Sequence, residues 1–147
     1  PVIDNVGTNS DTSSVAIARS QAQKLVNAIE LVDSSPVGAK QTIHLMVPAR
    51  TQIKCAMPSS QPITGRPDFP YVRVILWPAL GITEDCKHGY FVDPAGKACN
   101  IIIKPNINST LDCTSNQEIM FRLDQSTAAF FEVTILKDSS GIKVNVR

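Results

Sequence analysis

Four cysteines are the residues of this chain with the most distinctive chemistry: Cys55, Cys86, Cys99 and Cys113. An even number of cysteines without a Cys-x-x-Cys spacing predicts two structural disulfides, which persist in an oxidising compartment outside the cytoplasm. Three pairings are open at this point. We favour Cys86–Cys99, because residues 93–96 read Asp-Pro-Ala-Gly, a tight-turn sequence that would place its two flanks side by side. Cys55–Cys113 then follows by elimination.

The two histidines do not add a reactive centre. His88 lies two residues after Cys86 and close to the acidic pair at positions 84–85, a grouping that is typical of a solvated turn. His44 alternates with apolar neighbours, which indicates a half-buried or surface position on a strand. Neither histidine stands at a zinc-ligand spacing from the cysteines, and no nucleophile or phosphate-loop motif occurs in the chain. We therefore predict no catalytic residue, no metal ligand and no cofactor.

One Asn-x-Ser/Thr triplet, residues 108–110, lies in a polar stretch between two predicted strands. Its middle residue is serine, so Asn108 is a competent acceptor for N-glycosylation if the chain is exported. We predict glycosylation at Asn108.

The composition indicates a globular chain without a strong electrostatic field. Of its 147 residues 43% are apolar and 18% are charged, and 14 Lys and Arg balance 13 Asp and Glu to a net charge of +1. A nearly neutral chain does not recruit nucleic acid, so no nucleic-acid partner is expected. The longest apolar stretch, residues 74–82, is too short to cross a membrane and contains a proline.

An amphipathic helix is predicted over residues 13–34, after a linker or frayed terminus over residues 1–12. The first twelve residues are rich in Gly, Asn, Ser and Asp and show no period. Apolar residues then recur at intervals of three and four, which is the spacing of one helix face, until Pro36 excludes further helix. The predicted packing stripe consists of Val15, Ala18, Ala22, Leu25, Ile29 and Val32.

Beyond Gly38 the apolar period changes to two, and short strands alternate with Pro, Gly and Ser turns. The last two strands flank residues 138–141, a sequence suited to a hairpin. The pattern predicts a mainly β fold, a single domain over residues 1–147, in which the N-terminal helix packs on an antiparallel β-sandwich over residues 41–147. The eight predicted strands are 42–47, 51–56, 71–77, 90–92, 98–104, 117–123, 129–137 and 142–147.

Aromatic residues suggest two contact faces. Tyr71, Arg73 and Trp77 fall on one face of the third predicted strand, where we expect core packing or a contact between subunits ahead of a ligand face for a sugar. Phe130 and Phe131 point to opposite faces of another strand. We therefore expect one of these two phenylalanines to be buried and the other to be covered by a neighbouring subunit or by the N-terminal helix.

The N-terminal third of the chain resembles a known family. Residues 15–32 read VAIARSQAQKLVNAIELV, followed by PVGAK at 36–40 and QTIHLMVP at 41–48. This succession of an Ala- and Gln-rich helix, a glycine-containing break and a strand ending in proline is similar to archaeal type IV pilin-like and archaellin-like proteins, which carry class III signal peptides. The resemblance implies a filament subunit: a hydrophobic N-terminal helix in the filament core and an outer, often glycosylated, Ig-like β-sandwich head.

The chain departs from that family in one respect, since the hydrophobic half of the helix is missing from it. The resemblance therefore implies a soluble head with the lower part of its stalk, which associates with identical or related pilin subunits through the helix that is missing here. Together with the disulfides, it predicts a non-enzymatic, extracellular structural protein for adhesion or motility.

Two alternatives remain open. One is a secreted β-sandwich module that recognises a glycan or a cell-surface protein. The other is a fibre subunit that donates an extended segment around Val2-Ile3 to the next subunit.

Overall fold

The computed structural model describes residues 2–49, 51–56, 71–76, 99–113 and 128–146. These residues form one long helix followed by seven strands. The elements are α1 (Val2–Asp33), β1 (Lys40–Val47), β2 (Thr51–Ala56), β3 (Tyr71–Leu76), β4 (Cys99–Ile103), β5 (Leu111–Asp112), β6 (Ala129–Asp138) and β7 (Gly141–Val146).

The strands form two sheets. One has four strands in the order β1-β6-β7-β5, and the other has three in the order β2-β3-β4. All pairs are antiparallel except β5–β7, which is parallel, with Leu111 opposite Ile142. The expectation of purely antiparallel sheets is therefore wrong at β5. For the part of the chain that the structure describes, a mainly β fold with one helix is confirmed.

Helix α1 is longer than the sequence pattern indicates. The expected linker over residues 1–12 is wrong, because the helix already begins at Val2. Gly, Asn, Ser and Asp lower the helix propensity there, but no proline occurs between Val2 and Ser35. Extension of a helix that is already nucleated costs about 1 kcal/mol or less for each such residue. Val2 and Ile3 consequently lie in the first turn of a helix and not in an extended segment that could be donated as a strand.

The C-terminal end of α1 is fixed by local hydrogen bonds. The helix ends at Asp33, three residues before Pro36. The Ser34 and Ser35 hydroxyls both donate to the Leu31 carbonyl, at 2.9 and 2.8 Å. Such side-chain donors satisfy carbonyls that the helix itself leaves without a partner.

The core is built around one face of α1. All members of the predicted stripe whose side chains are described are at most 1% exposed; the Val15 side chain lies outside the described part. The helix contacts strands of both sheets. The expected arrangement, a helix lying on a closed sandwich, is therefore corrected: α1 is shared between the sheets, and their inward residues pack on it. These are Leu45, Val47, Ile53, Cys55, Val72, Val74, Ile101, Leu111, Cys113, Val133, Ile135, Ile142 and Val144.

The period-two pattern locates strands well. Six predicted strands agree with β1, β2, β3, β4, β6 and β7 to within two residues at each end, whereas the predicted strands 90–92 and 117–123 lie outside the described residues. The predicted hairpin joins β6 to β7, and the Asp138 carboxylate accepts from the Ser140 backbone N–H at 2.8 Å. Strand β5, with two residues, is too short to give a period and was not predicted.

Two glycines have the left-handed backbone that disfavours side chains. Gly38 has φ 99° and Gly141 has φ 133°. A Cβ atom at Gly38 would meet nothing within 4 Å, whereas one at Gly141 would collide with the Thr110 carbonyl oxygen. That oxygen accepts from the Ile142 N–H at 2.7 Å. Gly141 therefore allows the chain before β5 to approach the hairpin.

We predict different costs for the same substitution at these two sites. Gly38→Ala should lower the free energy of unfolding by about 1 kcal/mol, because only the backbone is strained. Gly141→Ala should lower it by about 3 kcal/mol, since the collision with Thr110 adds to the strain. Urea denaturation of both variants measures the difference, and equal losses would contradict the described approach of Thr110 to the hairpin.

Candidate functional site

The described histidine is a surface residue. The His44 imidazole lies 3.6 Å from the Glu132 carboxylate, and the two side chains are 76% and 39% exposed. An ion pair at such exposure contributes less than about 1 kcal/mol. Within the described ranges no three His, Cys, Asp or Glu side chains are grouped so that they could hold a metal ion. His88 and the acidic pair at 84–85 lie outside those ranges.

A disulfide joins the two sheets. Cys55 of β2 is bonded to Cys113, which directly follows β5, and their Cα atoms are 5.8 Å apart. Both cysteines are 2% exposed, so the bond lies inside the shared core. The predicted Cys55–Cys113 pair is confirmed, and such a bond is typical of an oxidising compartment. The predicted Cys86–Cys99 pair lies outside the described side chains.

No described helix is long and apolar enough to cross a membrane.

Lys137 of β6 supplies the positive charge at the C-terminal end of α1. The last turn of the helix contains no basic residue of its own. The Lys137 ammonium donates to the backbone carbonyls of Asp33 and Ser35, at 2.7 and 2.9 Å. A cation at this end compensates the helix dipole and the carbonyls that lack a helical partner. The contact fixes the helix end on the four-stranded sheet.

Asp33 holds the loop that contains the predicted glycosylation site. Its carboxylate accepts from the backbone N–H groups of Asn108 and Ser109, at 3.1 and 3.0 Å. The pKa of Asp33 is lowered, chiefly by the hydrogen bond with the Ser109 side chain; burial opposes this as the next largest effect, and the two backbone N–H groups and the charge of Lys137 each lower the pKa further. The ionised carboxylate is therefore the form that fits this junction.

The Asn108 side chain is exposed although its backbone is anchored. The loop places the residue on the surface next to the end of α1. An accessible asparagine is what the predicted glycosylation requires, and occupancy of the site stays a prediction.

The two described residues of the predicted aromatic face are covered to different degrees. Tyr71 is only 4% exposed and Arg73 is half-buried, while Trp77 lies outside the described residues. Tyr71 starts β3, the middle strand of its sheet, where side chains on both faces are covered. Tyr71 therefore agrees with the core-packing expectation and offers no exposed surface to a ligand or a subunit.

Phe130 is the exposed member of the phenylalanine pair that the sequence places on opposite faces of one strand. It is 78% exposed at the start of β6, opposite Met46 of β1, whereas Phe131 is half-buried and packs against the core. The two phenylalanines do point to opposite faces, as alternation predicts. Alternation alone does not say which face is inside. The expected cover over the outer phenylalanine is not provided by α1.

The polar side of α1 is a shallow, open surface. Its residues are all exposed and recur at helical spacing: Ala16, Arg19, Ser20, Gln23, Lys24 and Asn27. The sequence pattern identified only the buried stripe of this helix and missed the exposed one.

No protein-family model matches this chain, and no match was found among curated proteins or solved structures. The functional argument therefore depends on the residues and contacts described above.

We predict that the stabilisation by Asp33 is lost in acid. The pKa of Asp33 is lower in the folded chain than its ordinary value of 3.8. The carboxylate therefore stabilises the fold fully at pH values above 3.8, and this stabilisation is lost as the pH falls through the folded-state pKa. Asp33→Asn should cost about 1 kcal/mol at neutral pH. The difference from the parent chain should begin to shrink as the pH falls below 3.8 and continue to shrink at lower pH. Urea denaturation from neutral pH to pH 3 measures it, with Glu30→Gln in the preceding helical turn as the control; a difference that stays constant would contradict the role of Asp33.

We predict that loss of the inter-sheet disulfide destabilises the fold strongly. The bond joins positions 58 residues apart. Closing such a loop in the unfolded chain stabilises by about 4 kcal/mol in the loop-entropy model. Thermal or urea unfolding of Cys55→Ala/Cys113→Ala under oxidising conditions should show this loss. A loss under about 1 kcal/mol would mean that the sheets hold together without the bond.

Proposed function

We propose that this chain is a non-enzymatic structural subunit of an extracellular filament of the archaeal type IV pilus kind. The β strands form its head, and α1 connects that head to the filament. The observation that carries the proposal is the length of α1 relative to the strands on which it packs.

Helix α1 has 32 residues and is therefore about 48 Å long. The longest strand, β6, has 10 residues and spans about 33 Å. The buried stripe from Ala18 to Val32 accounts for about 21 Å of the helix. A helix that completes the core with its C-terminal half and is longer than any described strand is the design expected of a stalk and head.

The disulfide and the sheets support the proposal that the strands form an extracellular head. We infer that the two sheets are the layers of a pilin-like, Ig-like sandwich head into which α1 is inserted. The Cys55–Cys113 bond between the layers suits a protein that acts outside the cell, where no chaperone or reductant maintains it. Glycosylation at the exposed Asn108 fits the same location.

Self-association needs surfaces that repeat from one subunit to the next. Filaments grow through contacts between two different patches of each copy that do not close into a ring. Phe130 and the exposed polar side of α1 are two such patches on this chain. We propose that Phe130 packs against a neighbouring subunit, because an aromatic side chain that is 78% exposed gains most from being covered.

The glycan-binding alternative loses its main support, since Tyr71 is buried. The donor-strand alternative loses its proposed donor, since Val2 and Ile3 are helical.

The test is to shear surface filaments from cells that produce this protein and to search them for its peptides by mass spectrometry. We expect the Cys55–Cys113 cross-linked peptide in the filament fraction. Phe130→Gln should lower incorporation several-fold without changing the thermal stability of the chain. Asn145→Ala, which alters another exposed residue on the four-stranded sheet, serves as the control and should incorporate normally.

Recovery of the chain only from the unassembled fraction would refute the proposal. Normal incorporation of Phe130→Gln would refute the assignment of that residue alone.

A further inference from the structure

The outer edge of β1 is partly closed by the helix. Among the described strands, β1 is the last of the four-stranded sheet and pairs only with β6. The Lys137 N–H donates to the Ala39 carbonyl, and the register continues with Gln41 opposite Ile135. In an antiparallel pair alternate residues turn their N–H and C=O groups to the partner, so the even-numbered residues of β1 turn theirs outward.

Two side chains of α1 occupy the outward groups at one half of this edge. The Met46 N–H donates to Gln21 Oε1 at 2.9 Å, and the His44 carbonyl accepts from Lys24 Nζ at 2.7 Å. Gln21 and Lys24 are three residues apart and hence neighbours on the helix surface. Gln21 accepts a hydrogen bond and Lys24 donates one, as the backbone C=O and N–H groups of a neighbouring strand would.

The other half of the edge has no neighbouring strand among the residues that the structure describes. Lys40 and Thr42 are exposed, and their outward backbone groups have no partner among the described residues. The Thr42 hydroxyl lies 3.4 Å from the Thr134 hydroxyl on β6, so the Thr42 side chain contacts the neighbouring strand and does not cover the outer edge of β1. Two residues are too few for a stable strand pair.

We propose that the outer edge of β1 is a strand-addition site for β1 of a second copy of this chain, and that Gln21 and Lys24 keep it closed. An edge strand is a template for pairing with another chain. A second β1 is the occupant that fits, because an antiparallel pair about a two-fold axis is complementary to itself at every backbone group. With Thr42 opposite Thr42 of the second copy, the pair would need the His44 and Met46 groups that α1 now occupies.

This inference does not depend on the proposed function. It implies that copies of the chain associate through other surfaces while the helix is docked, and through β1 edges when the two side chains are removed.

The experiment compares the self-association of the disulfide-bonded 147-residue chain with that of Gln21→Ala/Lys24→Ala by sedimentation velocity over a range of concentrations. We expect dimerisation of the variant to be at least about tenfold stronger, because the freed groups become available to a second strand. Gln23→Ala/Asn27→Ala is the matched control: these two side chains bond to each other at 2.9 Å and not to the backbone of β1, so this variant should show no strengthening of dimerisation.

A third substitution identifies the edge that is used. Thr42→Pro removes an outward N–H and leaves the β1–β6 ladder intact, a position at which edge strands tolerate proline. Added to Gln21→Ala/Lys24→Ala, it should restore the monomer. Gln21→Glu/Lys24→Arg, which keeps the acceptor and the donor, should behave like the parent chain.

Amide hydrogen exchange tests whether α1 covers one half of the β1 edge, and it does not require Gln21→Ala/Lys24→Ala. In the parent chain the Met46 amide should exchange at least about tenfold more slowly than the Thr42 amide, and Gln21→Ala should remove that difference. The proposal is overturned if the two amides exchange alike in the parent chain. It is equally overturned if Gln21→Ala/Lys24→Ala associates no more than its control, or if its association survives Thr42→Pro.

Discussion

The packing of one face of α1 against both sheets is the interaction on which the remaining structure depends. Ala18 and Ala22 are fully buried, and their small side chains let the helix backbone come close to the strands. Leu25 and Ile29 then fill the volume farther along the helix. Because the inward residues of both sheets meet this same stripe, neither sheet has a complete core without the helix.

Polar contacts then fix the helix in the position that the apolar stripe allows. Apolar burial is not directional, so it permits sliding and rotation of a helix on a sheet. Lys137 donates hydrogen bonds to carbonyls at the C-terminal end of α1, and Asp33 accepts hydrogen bonds from the loop before β5. Gln21 and Lys24 form hydrogen bonds with the edge of β1. Each of these contacts joins the helix to a segment distant in sequence, and together they determine its register on the strands.

The sequence predicts the elements of this fold better than their arrangement. Intervals of three and four identified the buried stripe from Ala18 to Val32, and period two identified six of the seven strands, because both depend on local geometry. The start of α1 was missed because poor helix formers were interpreted as a linker, although no proline interrupts them. The parallel β5 and the packing of α1 against strands of both sheets depend on contacts distant in sequence, which no local period records.

The candidate surfaces were predicted less well, for a related reason. The Cys55–Cys113 pair came from elimination and was correct. Alternation placed Phe130 and Phe131 on opposite faces, but burial of Tyr71 depends on what covers the outer face of β3. Burial on both sides of a strand cannot be deduced from the strand alone.

The covalent bond between the sheets also determines how the chain responds to a pulling force. Tension applied through the two ends passes directly from Cys55 to Cys113 across a Cα–Cα distance of 5.8 Å. The 58-residue span between them, which would extend to about 200 Å as a free chain, is bypassed. A molecule stretched by flowing liquid would thus keep β3 and β4 unstressed and could lengthen only through its terminal segments.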